Sequence, residues 1–129
     1  MKHIFRDKRG SMGLEFGLAL PILVTMIIGV LQFGLVLNAN GAMRNAMGEG
    51  LRLAKVNPSA TADQVKQRTK DTLIGVDHQG ITALTFSRAT SNNLQTGEMT
   101  MTLTLKPVIP FAPIPPIVLT QTKKVYLQS

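Results

Sequence analysis

Residues 10–37 read GSMGLEFGLALPILVTMIIGVLQFGLVL, and this stretch decides how the rest of the chain is arranged. From Phe16 onward it carries no charged side chain, and only Thr25 and Gln32 are clearly polar. At a rise of about 1.5 Å per residue, such a run reaches the roughly 30 Å thickness of a hydrocarbon core. Helices of soluble cores are rarely so long and apolar on every side. The stretch therefore predicts one transmembrane helix.

The charges on either side of this helix predict its orientation. Four basic residues and one acidic residue lie within residues 1–10, and the next basic residue is Arg44. Positive charge tends to stay on the cytoplasmic side, so we expect a cytoplasmic N-terminus and export of everything after the helix. The chain then has three parts, which are a basic leader at 1–10, a transmembrane helix at 11–40 and an exported domain at 41–129.

Composition argues against several classes of function. The formal net charge is +7, but the basic residues beyond the leader are scattered and aromatic residues are few, whereas a nucleic-acid surface clusters both. The chain has no cysteine, which excludes disulfides and thiolate metal sites. The sequence contains no glycine-rich phosphate loop, metal-ligand cluster or nucleophile elbow. Asp77 and His78 are neighbours of a kind that usually forms a turn. We therefore expect a protein that is not an enzyme, with no catalytic residue, metal, cofactor, nucleic acid or small-molecule substrate.

The exported part predicts two helical segments. Residues 41–55 continue the membrane helix, with one stripe of larger apolar residues and one of small residues, until Asn57-Pro58 ends it. Thr61-Ala62-Asp63-Gln64 matches a capping box. It predicts a second helix from about Ala62 to Ile74, with Gly75 as the residue that terminates it.

After this helix the apolar period changes to two, which indicates strands. Strands are predicted at residues 81–87, 98–106 and 118–127, with Ser91-Asn92-Asn93 and Gly97 in the first hairpin loop. The fold class is α+β, with an antiparallel sheet of about three strands behind the second helix. The proline-rich residues 107–116 predict an extended apolar loop, which either covers the core or is a docking site for a partner.

Glu15 stands alone at the entrance of the apolar helix, where an ionisable group is costly and suggests function. In the simplest alternative, it is a stray carboxylate that reaches the membrane interface. A cut after Gly10 would instead create an α-ammonium group on Ser11, close to Glu15 of the same or an adjacent subunit. In a low-dielectric helix bundle, such an ion pair is stronger than in water and could fix the axial register of the helices. Gly13 and Gly17 form a small-xxx-small face that suits close helix packing, although glycine is common in membrane helices.

The residues around this carboxylate resemble the prepilin signature, and most closely that of the TadE-like family of tight-adherence (Tad) systems. The resemblance consists of a basic residue and glycine before the cut, glutamate at the fifth mature position, an aromatic residue after it and a long apolar helix. In this sequence the motifs are Asp7-Lys8-Arg9-Gly10-Ser11, Leu14-Glu15-Phe16, Leu20-Pro21 and Leu31-Gln32-Phe33-Gly34. Gln32 departs from the family pattern, which has an acidic residue there.

The resemblance implies a minor pilin or pseudopilin of a tight-adherence, type IV-like pilus that serves cell adhesion and secretion. A prepilin peptidase would cut between Gly10 and Ser11, and Glu15 and Phe16 would act in recognition and assembly. The implied partners are this peptidase, other pilin or pseudopilin subunits, inner-membrane assembly proteins and membrane lipid. The implied location is the bacterial inner membrane, as a single-pass protein with an exported C-terminal domain, or the pilus itself.

Two alternatives remain open from the residues alone. One is an unprocessed single-pass membrane assembly factor. The other is a secreted binding domain with a cleaved signal peptide, although the apolar run here exceeds the roughly 7–15 residues of a usual signal peptide. A membrane-anchored enzyme is a weaker candidate, because the sequence offers no site for one.

Overall fold

A computed structural model describes residues 8–107 and 113–127 of the chain. The chain divides into two compact units, Met1–Gly34 and Leu35–Ser129. Over the described residues the elements are, in order, α1 (Lys8–Val56), α2 (Ala62–Thr72), a short 3-10 helix (His78–Gly80), β1 (Ile81–Ser91), β2 (Leu94–Leu105) and β3 (Ile117–Leu127). The predicted α+β arrangement is confirmed. The division into a leader, a transmembrane helix and an exported domain stays a prediction. Residues 108–112 of the predicted proline-rich loop lie outside the described residues.

In the described residues the sheet is antiparallel and its strand order, β1-β2-β3, follows the chain. Alternation in β2 places Met99, Met101 and Leu103 on the core face, where each is fully buried. The threonines between them lie on the opposite face and pair with threonines of β3, as in the contact of 3.0 Å between the hydroxyls of Thr100 and Thr122. The period of two in the sequence therefore corresponds to one buried and one solvent-facing surface.

The hairpin between β1 and β2 is tighter than predicted. Asn92 and Asn93 both have positive φ, 51° and 62°, which suits a two-residue turn whose twist matches that of the strands. The prediction that Gly97 belongs to the loop is wrong, because it lies within β2 opposite Arg88. A Cβ at Gly97 would lie 3.2 Å from a ring carbon of Phe86, so the position is filled from the neighbouring strand.

The C-terminal part of α1 forms the centre of the core. Its buried residues recur every three or four positions, as expected for one face of a helix. They are Ala39, Met43, Ala46, Met47, Gly50, Leu51 and Ala54. A Cβ at Gly50 would overlap the hydroxyl of Thr69 and lie 3.0 Å from the carbonyl oxygen of Val65 and 3.2 Å from the terminal methyl of Met99. Both stripes predicted on this segment pack in the core. The larger apolar residues fill it, and the small residues let α2 and β2 approach the helix closely.

The helix α2 starts as predicted and ends earlier. Thr61 accepts a hydrogen bond from the Gln64 backbone (3.2 Å), and the Gln64 side chain accepts one from the Thr61 backbone (2.9 Å), which completes the capping box. The helix stops at Thr72 rather than Ile74, because Leu73 is extended and its carbonyl oxygen lies 2.7 Å from His78 Nε2. That contact comes from a later segment, so the helical pattern alone does not show it.

Charged groups at the start of α2 form a local pair. Lys66 lies 2.8 Å from Asp63 and, through a hydrogen bond and its charge, lowers the pKa of this fully exposed carboxyl. Because the folded-state pKa lies below the unfolded one, the stabilisation is present at neutral pH. It is lost as the pH falls through the folded-state pKa.

Arg88 fixes the connection between α1 and α2 to the sheet. Its guanidinium donates to the carbonyl oxygens of Pro58 (2.6 Å) and Ala60 (2.9 Å) and lies 5.7 Å from the centre of the Phe86 ring. A charged donor thereby satisfies two backbone carbonyls of the connection that follows α1.

We predict that Gly50→Ala destabilises the C-terminal α+β domain whereas Gly41→Ala stabilises it slightly. Both are helical, but a Cβ at Gly41 meets nothing within 4 Å. Replacing it should gain about 0.5–1 kcal/mol of helix propensity. At Gly50 the cost of overpacking, about 1–3 kcal/mol, should exceed that gain. Thermal unfolding of the full chain in detergent, followed by circular dichroism, measures both, and equal shifts for the two variants would contradict the packing.

Candidate functional site

The predicted processing segment lies in α1. The described part of this helix already includes Lys8, so the peptide bond between Gly10 and Ser11 lies within the helix. The side chains from Ser11 to Phe16 are exposed, and nothing lies within 4 Å of a Cβ built at Gly10. Among the described residues, the bond is therefore free of tertiary contacts.

Ser11 and Glu15 are in contact. The Ser11 hydroxyl donates to Glu15 Oε1 over 3.2 Å, across one turn of the helix. Among the side chains that the structure describes, this is the polar contact of Glu15. The carboxylate thus already faces the residue whose α-amino group a cut after Gly10 would release.

Around these polar groups the helix surface is apolar on every side. Met12, Leu14 and Phe16 each leave about 70% of their surface exposed, and similar residues continue the pattern as far as Leu37. Among the described residues, α1 is the helix that is long and apolar enough to cross a membrane, with a mean hydropathy of 2.4 in its most apolar window. Such a surface needs lipid or other helices around it.

Gly13 and Gly17 lie on adjacent turns of this segment, and a Cβ at either would meet nothing within 4 Å. Their lack of side chains therefore serves no packing in the described residues of the isolated chain. Small residues at this spacing let a second helix approach closely. The role of the pair in helix packing stays a prediction.

Gln32 is one of the two polar side chains of the apolar run. Its Nε2 is buried and has no hydrogen-bond partner among the described residues. The other polar side chain of the apolar run, Thr25, donates to the carbonyl oxygen of Pro21 over 2.8 Å and is satisfied within the helix. An amide left unpaired in an apolar segment is a group to which a neighbouring helix can offer an acceptor. The signal available in the sequence was its polarity alone.

Polar residues of the C-terminal domain take part in local hydrogen bonds. Asp77 accepts from the Gln79 backbone at the start of the 3-10 helix, and His78 contacts the Leu73 carbonyl. Asp71 accepts from Gln67 over 2.8 Å. Over residues 8–107 and 113–127, His, Asp and Glu form no group of three or more that could hold a metal ion.

Among the described residues, one helix that is long and apolar enough to cross a membrane continues into a small α+β domain. The family model described as TadE-like protein matches residues 10–52, about a third of the chain, and so confirms the TadE-like resemblance over this segment. The match relates the chain to Tad pilus systems. No curated protein and no solved structure matches the chain significantly.

We predict that Gly17→Ile weakens association between helices without disturbing the chain itself. A control is Gly29→Ile, because Gly29 also has nothing within 4 Å and lies about 160° around the helix from Gly13. Energy transfer between labelled chains in vesicles measures association. Loss of the close approach should reduce it by roughly tenfold, or about 1.4 kcal/mol. Equal losses in both variants would contradict a specific glycine face.

Proposed function

We propose that this protein is a minor pilin or pseudopilin of a Tad-type pilus, cut after Gly10 by a prepilin peptidase and assembled through its N-terminal helix. Its role is assembly rather than catalysis. The observation that carries the proposal is the contact between Ser11 and Glu15 in a segment that matches the TadE-like family. The partners are the peptidase, other pilin subunits, inner-membrane assembly proteins and lipid, with the N-terminus cytoplasmic and the C-terminal domain exported.

The position of the bond suits proteolysis. A peptidase that binds an extended backbone must first unwind the helix around Gly10, and glycine weakens a helix by about 1 kcal/mol relative to alanine. Hydrolysis adds water across the bond, leaving a carboxylate on Gly10 and an α-ammonium group on Ser11.

Cleavage would change the role of Glu15. After the cut, Ser11 becomes the first residue, and four backbone N–H groups at the new terminus lose their helical partners. Glu15 then lies one helical turn from an N-terminus that carries both the positive end of the helix dipole and the new ammonium charge. The same carboxylate can pair with the ammonium group of its own chain or of an adjacent subunit, which sets the axial register of packed helices.

We predict that Gly10→Leu yields an uncut chain that keeps residues 1–10. Since a Cβ at Gly10 has open space around it, the substitution leaves the fold intact and acts on the peptidase. Gly34→Leu is the matched control, because Gly34 is equally open within the same helix. Intact-mass spectrometry of the membrane fraction should show Ser11 as the N-terminus of the wild type and the control. A wild-type N-terminus at Met1 would favour the unprocessed assembly factor, and one near Asn40 the secreted domain.

We predict that Glu15→Gln leaves cleavage unchanged but lowers incorporation into pili by roughly tenfold, the equivalent of about 1.4 kcal/mol of lost pairing. The amide keeps the shape and can still accept from Ser11, while the charge is lost. Glu49→Gln is the control, because Glu49 belongs to the exported domain and lies near Arg52 and Arg68 at 4.0 and 3.9 Å. Immunoblotting of sheared pili measures incorporation, and normal incorporation of the Glu15 variant would remove the register role.

A further inference from the structure

An isoleucine is strongly exposed in the segment that follows α2. Ile74 leaves 79% of its surface open, whereas its neighbour Leu73 is only 2% exposed and Val76 packs against the core. The chain therefore turns the apolar side chain of Ile74 away from the domain between two residues that it turns inward.

This segment lies beside the point at which the apolar run of α1 ends. Asn38 is the first residue after Leu37, the last residue of the run, and its side-chain nitrogen lies 3.5 Å from the Gly75 carbonyl oxygen. Gly75 has a φ of +78°, a conformation that glycine adopts without strain. Ile74 directly precedes Gly75, whose carbonyl oxygen contacts Asn38 where the apolar run ends.

The sheet end at this level carries a second exposed apolar residue. The 3-10 helix that follows Ile74 along the chain ends at Gly80. A Cβ built at Gly80 would lie 2.6 Å from the carbonyl oxygen of Thr104. Thr104 pairs with Val118, and Val118 is 60% exposed. Lys106 follows the last residue of β2 at the same end and is also exposed.

The opposite end of the sheet lies away from the helix exit. Asn40 of α1 contacts Gln121 in the first half of β3, and the side-chain nitrogen of Lys123, farther along that strand, lies 3.1 Å from a Cβ built at Gly48. The helix therefore leads from the Val118 end toward the β1–β2 hairpin. Leu94 begins β2 at the hairpin and is 57% exposed. It provides an exposed leucine at the far end of the same sheet.

We infer that the end of the exported domain formed by Ile74, Val118 and Lys106 rests on the bilayer surface, with lipid as the partner. The inference depends on the membrane anchoring contained in the proposed function. If the apolar run spans the hydrocarbon core, Asn38 marks its boundary, and the segment that contacts Asn38 lies in the several-ångström interfacial layer. Apolar side chains gain by leaving water there, and a lysine beside them can reach the lipid phosphates.

The cysteine-free chain allows a direct test with single labels. Ile74→Cys and, as the matched control, Leu94→Cys are coupled to a nitrobenzoxadiazole fluorophore in the full-length protein. Both side chains are exposed, so neither label disturbs the core. The protein is reconstituted in vesicles of phosphatidylethanolamine and phosphatidylglycerol. A nitroxide-bearing lipid reports contact with the bilayer, and iodide reports contact with water. Val118→Cys serves as a second probe of the same surface.

The label at residue 74 should be quenched several-fold more by the nitroxide lipid than the label at residue 94, and less by iodide. Its depth should be about 5–10 Å into the boundary between headgroups and acyl chains. Equal iodide quenching at both positions, in protein that floats with the vesicles, would overturn the inference and leave the anchor intact. Protection from both quenchers would also overturn it and indicate a protein partner. Failure to float would refute the anchoring itself.

Discussion

The close approach of α1 to α2 and β2 at Gly50 holds the C-terminal domain together. Where Gly50 lacks a side chain, the hydroxyl of Thr69 fits against the helix, donates to the Val65 carbonyl and reaches the sulfur of Met99 at 3.4 Å. One polar group is thus buried with partners at the junction of three elements, which avoids the cost of leaving it unpaired. Because the chain has no cysteine, no disulfide supplements this small core, and the domain depends on the packing of its side chains.

The single helix α1 meets two different demands along its length. Its N-terminal part is apolar on every side, and its glycines from Gly10 to Gly34 have open space around them. Its C-terminal part has one buried face, and Gly48 and Gly50 lie against other elements. The same residue type therefore leaves surface available for other helices in one part and closes the domain in the other. The contact between Ser11 and Glu15 belongs to the first part, and the hydrophobic core to the second.

Much of this fold is readable from the sequence, because its strongest signals are local. The apolar run, the capping box at Thr61 and the alternation of methionine and threonine in β2 each arise within a few turns or pleats of backbone. The features that sequence reasoning missed depend on contacts between distant residues. The end of α2 is set by His78, the position of Gly97 by Phe86, and the connection at Pro58 by Arg88.

The candidate site shows the same division. The spacing of Gly10 and Glu15 is visible in the sequence, and the rule that side chains four residues apart meet on a helix accounts for the Ser11 contact. The unpaired amide of Gln32 could not be predicted in this way, because only the structure shows that its nitrogen is buried.

The strand order β1-β2-β3 has a consequence for the order of folding. Each strand pairs with its neighbour in sequence, so the sheet forms through two local hairpins, and such local contacts form fast. The contact between Asn40 and Gln121 instead spans 81 residues. At a synthesis rate of about 5–20 residues per second, the buried stripe of α1 waits roughly 4–16 s for the strand that completes its cover. During that interval Met43, Met47 and Leu51 are the surface that a chaperone would have to shield.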